Sequence, residues 1–370
     1  MIYADNAATT RLDPAALEAM LPYLEEEYAN PSQPYSFARK AKKAIAGARE
    51  TIAGILGAEP EEIFFTSGGT ESDNWTVKGT NMTGRNHIAA CAMEHHAVLH
   101  ACEAMKRQGW EISRVLPESD GTILPEKLES LLREDTALVT IQLANNETGV
   151  IEPVAALAKA AHERGALFHT DAVQAVGHIP VNVRELGVDL LSASAHKFNG
   201  PKGVGFLYRK NGIPLLPYQD GGAQERGNRA GTENVAAIAG MARALEINAG
   251  IMAETAERLR GYERVLLAAL EGTDFRYNGA DNHVPGNMSL SFRGLDGEAV
   301  LHRMDLMGVA VSTGSACTSG RTTISHVLQA MGMPEEWARG TVRISLGRFN
   351  TEEEVRIIAG HLRKIAGEAP

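Results

Sequence analysis

Cysteine is scarce in this chain: three in 370 residues, at positions 91, 102 and 317. Three scattered thiols exclude a disulfide framework and lack paired zinc-ligand spacing, so a reducing compartment is the better fit. Positive charge is also in deficit. The balance of 36 basic against 46 acidic residues, a net charge of −10, disfavours stable nucleic-acid or anionic-membrane binding as the main role. Long apolar runs are missing too: none approaches the ~18 uninterrupted residues a membrane helix needs. The opening stretch MIYADNAATTRLDP has no basic segment followed by an apolar one, so no signal peptide is expected. There is no internal repeat and no low-complexity segment. A cytoplasmic protein is expected, long enough for two domains or one large α/β unit with an appendage.

What is present is alternation. Short β-type runs, EIFF (62–65), HIAACAM (87–93), ALVTIQLA (137–144), ALFHTDAV (166–173), VDLLSASA (188–195) and GVGFLYR (203–209), interleave with helical patterns between about residues 60 and 210. Several runs are apolar without strict alternation, as strands covered on both faces should be. Glycines at 109 and 165 mark helix ends. This predicts an α/β domain with a mainly parallel sheet. A long helical pattern over 235–271 follows, then shorter strand and helix patterns that predict a smaller α+β domain.

The candidate chemistry lies where the predicted strands end, the usual ligand position in open α/β sheets. Lys197, in SASAHKFNGPKGVGF, is either a snorkelling cation or a lysine whose amine forms a Schiff base with pyridoxal phosphate. Asp171, in FHTDAVQAVG, ends an apolar strand, where an isolated carboxylate is costly unless paired, for instance with a pyridinium nitrogen. With His169 it also forms an H-x-D pair, a metal motif for which no further ligands stand at matching spacing. FFTSGGTESDN (64–74) runs from strand through glycine turn to helix start, where free backbone N–H groups can receive a phosphate, although the P-loop spacing is absent. MEHHAVLH offers His95 and His96, NNETG (145–149) follows a strand, and GGAQERGNRAGTEN (221–234) is a turn-rich loop whose two arginines could contact phosphate. Arg343, in VRISLGRFN, is either an ordinary ion-pair partner or a carboxylate fork.

One stretch is harder to place. STGSACTSG (312–320) sets Cys317 among small and polar residues that can bury no core. Alone, it reads as a surface loop with an incidental thiol.

Ten blocks in order change that reading. DNAATTR, NPS, FTSGGTESDN, EHHAVL, NNETG, HTDAVQAVG, SAHKFNGPKGVGFLY, QERGNRAGTEN, GSACTSG and RISLGRFNTEEE resemble those of the cysteine desulfurases, the NifS/IscS-like group of the class V aminotransferase family. The blocks run from residue 5 to about 355. The resemblance implies a fold-type-I enzyme dependent on pyridoxal 5′-phosphate. Its large domain would span 13–250, and its small domain would combine 1–12 with 251–370 and carry the cysteine loop at about 312–322. It implies that Lys197 carries the cofactor, Asp171 pairs with its ring nitrogen, Gln174 contacts its phenolic oxygen and His95 stacks on its ring. Gly69, Thr70, Ser194 and His196 would hold the phosphate, with Thr232 donated by a neighbouring subunit, hence a homodimer. Asn146 and Arg343, with Asn30 as companion, would lie near the substrate carboxylate.

The implied reaction turns L-cysteine into L-alanine, with Lys197 moving the Cα proton, Cys317 taking the sulfur as a persulfide and His95 assisting deprotonation. A loop of Gly, Ser, Thr and Ala suits such a carrier, because it buries little and fixes little. No resident metal is implied; an iron–sulfur cluster would be met only in transit at Cys317. Sulfur acceptors would be proteins such as an iron–sulfur scaffold or a tRNA-thiolation protein. Two departures from the family pattern, Tyr35 for the common His and Ala38 for the common Gly, touch the substrate entrance. The alternatives are selenocysteine lysis or transamination on the same fold, or a sulfur-relay subunit without catalysis.

Overall fold

A computed structural model describes residues 1–80, 84–314 and 324–367. Its twelve strands are β1 (Ile2–Tyr3), β2 (Ile63–Thr66), β3 (His87–Cys91), β4 (Glu111–Val115), β5 (Thr136–Thr140), β6 (Leu167–Asp171), β7 (Leu190–Ser194), β8 (Gly205–Arg209), β9 (Phe275–Tyr277), β10 (Asn287–Phe292), β11 (Val309–Ala310) and β12 (Thr341–Ser345). Seven of them form one sheet in the order β2-β8-β7-β6-β5-β3-β4, and only β8 runs against the others. Strands β3, β5 and β7 are buried at every residue, Thr136, Thr140, Ser192 and Ser194 included, which is why none of them alternates apolar residues with a solvent-facing polar set. The sheet is therefore mainly parallel, as expected.

Strand order reverses beside β3. From it the chain moves outward to β4 at the edge, and then returns to β5 on the other side. Such a switch opens a crevice beyond the strand C-termini. The residues that follow β2, β3, β5, β6 and β7 all emerge on that side.

A second, smaller core is built around the antiparallel sheet β12-β10-β9, with the helix Glu352–Gly367 packed on it. The parallel pair β1–β11 brings the N-terminus to this core. Both cores share one helix, Val235–Ala269. Its first half buries Ile238, Met241 and Leu245 in the large core, and its second half buries Leu259 and Leu266 in the small one. By length and composition this helix is apolar enough to cross a membrane, a property that the expectation of no long apolar run did not register. Over half of that apolar window, 56%, is buried inside the protein, as in a core helix.

Candidate active site

The crevice is a cavity of about 620 Å³. Lys197 reaches it from the short turn Ala195–Lys197 directly after β7. Its Nζ donates to the carbonyls of Ala7 at 2.5 Å and Ala8 at 2.9 Å, so the N-terminal segment holds the amine at the cavity wall. The turn itself is fixed from behind by a 2.8 Å contact between His178 Nε2 and the Lys197 carbonyl.

Asp171 closes β6 and lines the same cavity, 8% exposed, with Val173 N–H donating to its Oδ1 at 2.9 Å. Burial pushes this carboxyl above its ordinary range, against the pull of Val173 N–H and the Lys197 charge. Beneath it lies a second buried carboxyl, Asp73, driven well up by burial and by the charge of Asp171. His169, two residues before Asp171 on β6, sets its Nε2 3.7 Å from Asp73 Oδ1. Its Nδ1 meets Thr140 Oγ1 and its Nε2 meets Ser192 Oγ, both at 2.9 Å. Both ring nitrogens are thus engaged inside the fold, and no cluster able to hold a metal exists among the described residues. His169 of the H-x-D pair is thus tied to Thr140 and Ser192 on the neighbouring strands.

An anion cradle lies opposite. The helix Gly69–Gly79 opens at the cavity after β2, and its first backbone N–H groups have no carbonyl of their own helix to bind. A Cβ on Gly69 would stand 2.5 Å from Val173 Cγ2, so only glycine lets the backbone sit this close. Thr70, Ser194 and His196 line the cavity beside it. Burial lowers the His196 pKa to about 4, leaving a neutral ring whose Nδ1 contacts Thr9 Oγ1 at 3.1 Å. Gln174 also lines the cavity, its Nε2 donating to the Ala7 carbonyl at 2.9 Å.

His95 caps the helix His96–Lys106, its Nδ1 accepting from Ala97 N–H at 3.1 Å. Burial, helped by the Lys197 charge, lowers its pKa to about 4. With Nδ1 occupied as an acceptor, the neutral ring carries its proton on Nε2. This placement supports a ring packed in the cavity that donates a hydrogen bond. The expected proton-accepting role would require Nδ1 to give up the cap.

Arg343, on β12, lines the cavity with Nη2 on Asp5 Oδ1 at 2.7 Å and Nη1 on the Asn146 carbonyl at 2.8 Å. Its Nε is buried without a partner. A substrate carboxylate reaching this guanidinium would share it with Asp5. Asn146 lines the cavity; Asn30 does not, and its Oδ1 accepts from Ser32 N–H instead. Thr232 is exposed and lies off this chain's own cavity. It belongs to a loop whose left-handed residues Glu225 and Arg226 are anchored by a two-bond Arg49–Glu225 ion pair. Cys317 lies outside the described residues. Asp5, Asp73 and Glu147 were not singled out from the sequence, although DNAATTR, FTSGGTESDN and NNETG contain them.

The charged groups make a prediction about stability. Burial raises Glu152 to about 8 and Glu147 to about 7, whereas His95, His169 and His196 are lowered to about 4, 3 and 4. Below the ordinary histidine pKa, near 6.5, the two sets oppose each other. Above it the histidines are neutral in both folded and unfolded chains. The raised carboxyls, together with His283 and the buried thiols Cys91 and Cys102, whose pKa values are also raised, then hold more protons in the folded state, so stability falls as pH rises from 7 to 8.5. Glu152, 3% exposed, with Oε1 unpartnered, contributes up to about 1.4 kcal/mol per pH unit below its folded pKa. Melting temperatures of wild type and Glu152→Gln at pH 7 and 8.5 check this. The wild type should lose more over that interval, and equal losses would contradict the assignment.

A mainly parallel sheet with a lysine, a buried acid and a helix-start anion cradle at its C-terminal edge matches the fold-type-I transferase architecture expected from the sequence. The chain belongs to the aminotransferase class-V family, which it matches over residues 2–358. It is 47% identical over 370 residues to a protein of Dictyoglomus turgidum named cysteine desulfurase IscS, with 98% of this chain and 94% of that protein covered. A Clostridium botulinum protein of the same name is 43% identical over 372 residues, with the same coverage. Among solved structures, a NifS-like protein superposes with a TM-score of 0.94 at 38% identity, covering 99% of both chains. SspA in complex with cysteine gives a TM-score of 0.85 at 34% identity, covering 95% of this chain and 100% of that one.

Proposed function

We propose that this chain is a cysteine desulfurase dependent on pyridoxal 5′-phosphate, converting L-cysteine to L-alanine with a persulfide formed on Cys317. The observation that carries the reading is the convergence of Lys197, Asp171 and the Gly69–Thr70 helix start on one cavity. The residues fit the cofactor: a glycine at the anion cradle whose added Cβ would collide with Val173, and a buried carboxyl, Asp171, lining the same cavity. When bound, pyridoxal phosphate supplies an electron sink for bonds broken at the substrate Cα.

The chain supplies the rest. Asp171 provides negative charge for a protonated ring nitrogen, and the helix start with Thr70 and Ser194 binds phosphate. Arg343 and Asn146 orient the substrate carboxylate. Lys197 Nζ moves the proton at Cα. Cys317 Sγ attacks the substrate sulfur; the carbon–sulfur bond breaks, the sulfur remains as Cys317–S–SH, and protons complete alanine. Thiol plus cysteine gives persulfide plus alanine, so atoms and electrons balance. The exposed Thr232, off its own cavity, supports a second copy of the chain as the donor of that contact. The persulfide would pass to sulfur-acceptor proteins such as an iron–sulfur scaffold.

Incubation of the purified, cofactor-loaded protein with L-cysteine tests the reading. Alanine and protein-bound persulfide should appear together in the first turnover. A loaded protein that forms neither would overturn it.

A further inference from the structure

The segment carrying Cys317 joins the described fold at Gly314 and at Ile324–Ser325. Both junctions meet one side chain. Ser325 Oγ donates to Glu147 Oε2 at 2.5 Å, and Gly314 packs so tightly on that same oxygen that a Cβ there would overlap it. The two junctions are eleven positions apart in sequence, yet one carboxyl oxygen serves both.

Glu147 is itself held rigidly. It sits in the turn after β5, 4% exposed, with its N–H donating to Asn145 Oδ1 at 2.9 Å. The same Asn145 oxygen receives Thr148 N–H, also at 2.9 Å, so the turn is closed on both sides of the carboxyl. Ser325 is equally committed, since its Oγ accepts from Val327 N–H at 3.0 Å while its proton goes to Glu147. The chain leading into the first junction is fixed as well: Ser312, two residues before Gly314, exchanges backbone hydrogen bonds with Arg343, at 3.1 and 2.7 Å. Arg343, from β12, is the charged group acting on Glu147, and it is paired with Asp5 of the N-terminal segment. His326, next to Ser325, turns its Nε2 to the Glu94 carbonyl instead.

We propose that Glu147 is a positioning residue for sulfur transfer, clamping Gly314 and Ser325 so that the chain bearing Cys317 leaves and rejoins the fold at fixed points on the cavity rim. The proposal rests on the desulfurase reading for the role of Cys317. A packing role alone would be served by any side chain filling the volume. A clamp needs an acceptor oxygen for Ser325.

The test reads the rate at which iodoacetamide alkylates Cys317 in cofactor-loaded protein, followed by mass spectrometry of its peptide. Cys91 and Cys102 are both fully buried and do not compete. Glu147→Ala should change that rate fivefold or more. Its visible absorbance, and the change in absorbance on adding L-cysteine, should remain. Glu147→Gln keeps an acceptor oxygen and should stay within twofold of wild type. Ser325→Ala removes the same bond from the other side and should follow Glu147→Ala; it decides the matter if Glu147→Ala does not fold. Alkylation within twofold of wild type in Glu147→Ala or Ser325→Ala would overturn the clamp, as would a Gln variant as altered as the Ala one. Alanine formation by wild type reports separately on the parent reading, so the two can fail independently.

Discussion

Lys197→Ala is expected to give a folded protein that loses its visible absorbance on dialysis and makes no measurable alanine from L-cysteine. Two losses coincide in one side chain. The amine is the proposed covalent attachment point of the cofactor, and it is the only group the proposed function assigns to move the Cα proton. Removal of a positioned acid–base group alone costs about 10²–10⁴-fold in rate. Loss of the cofactor link adds to that, so turnover should fall by at least about 10³-fold. The fold should survive, because the turn is held by backbone contacts: His178 Nε2 to the Lys197 carbonyl, and Asn248 Nδ2 to the Phe198 carbonyl. The carbonyls of Ala7 and Ala8 lose an N–H donor but sit at a cavity that water can enter. Spectra before and after dialysis, with alanine assayed on the same samples, check both losses. Alanine at a rate near wild type would remove Lys197 from the mechanism.

Much of this site was legible because the chain writes it locally. Asp171, Ser194 and Lys197 each follow a run of buried strand residues, and Thr70 follows a glycine turn, so strand ends and chemistry coincide in the sequence. Strand β4 was missed for the opposite reason. It lies at the sheet edge, and Glu111, Ser113 and Arg114 give it a partly exposed polar surface that matches neither a buried run nor a clean alternation. Asp5 and Glu147 were illegible in a different way. Arg343 lies 338 positions from Asp5, and Ser325 lies 178 positions from Glu147. No local pattern carries a contact of that span. His95 was found by position, but its role turned on a cap: which ring nitrogen is free depends on Ala97 N–H, a feature of the folded helix start.

Cys317→Ser should separate the two halves of the reaction. Its serine hydroxyl is a far weaker nucleophile than a thiolate and cannot store sulfur as a persulfide, so alanine from L-cysteine should fall by about 10²-fold or more. Nothing else in the chain can take over. Cys91 lies on a fully buried strand, where burial pushes its thiol well above the usual range, and burial pushes Cys102 up to about 12. Neither forms a thiolate at neutral pH, and neither faces the cavity. Cofactor absorbance, and its response to L-cysteine, should be kept, because Lys197, Asp171 and Arg343 are untouched. Sulfide or alanine at the parent rate would remove Cys317 from the chemistry. L-selenocysteine sharpens the result, since selenium leaves carbon more readily and needs no attacking thiol. A variant that still acts on L-selenocysteine while failing on L-cysteine would show that the cavity binds and activates the amino acid, and that Cys317 is required where sulfur itself must be carried away.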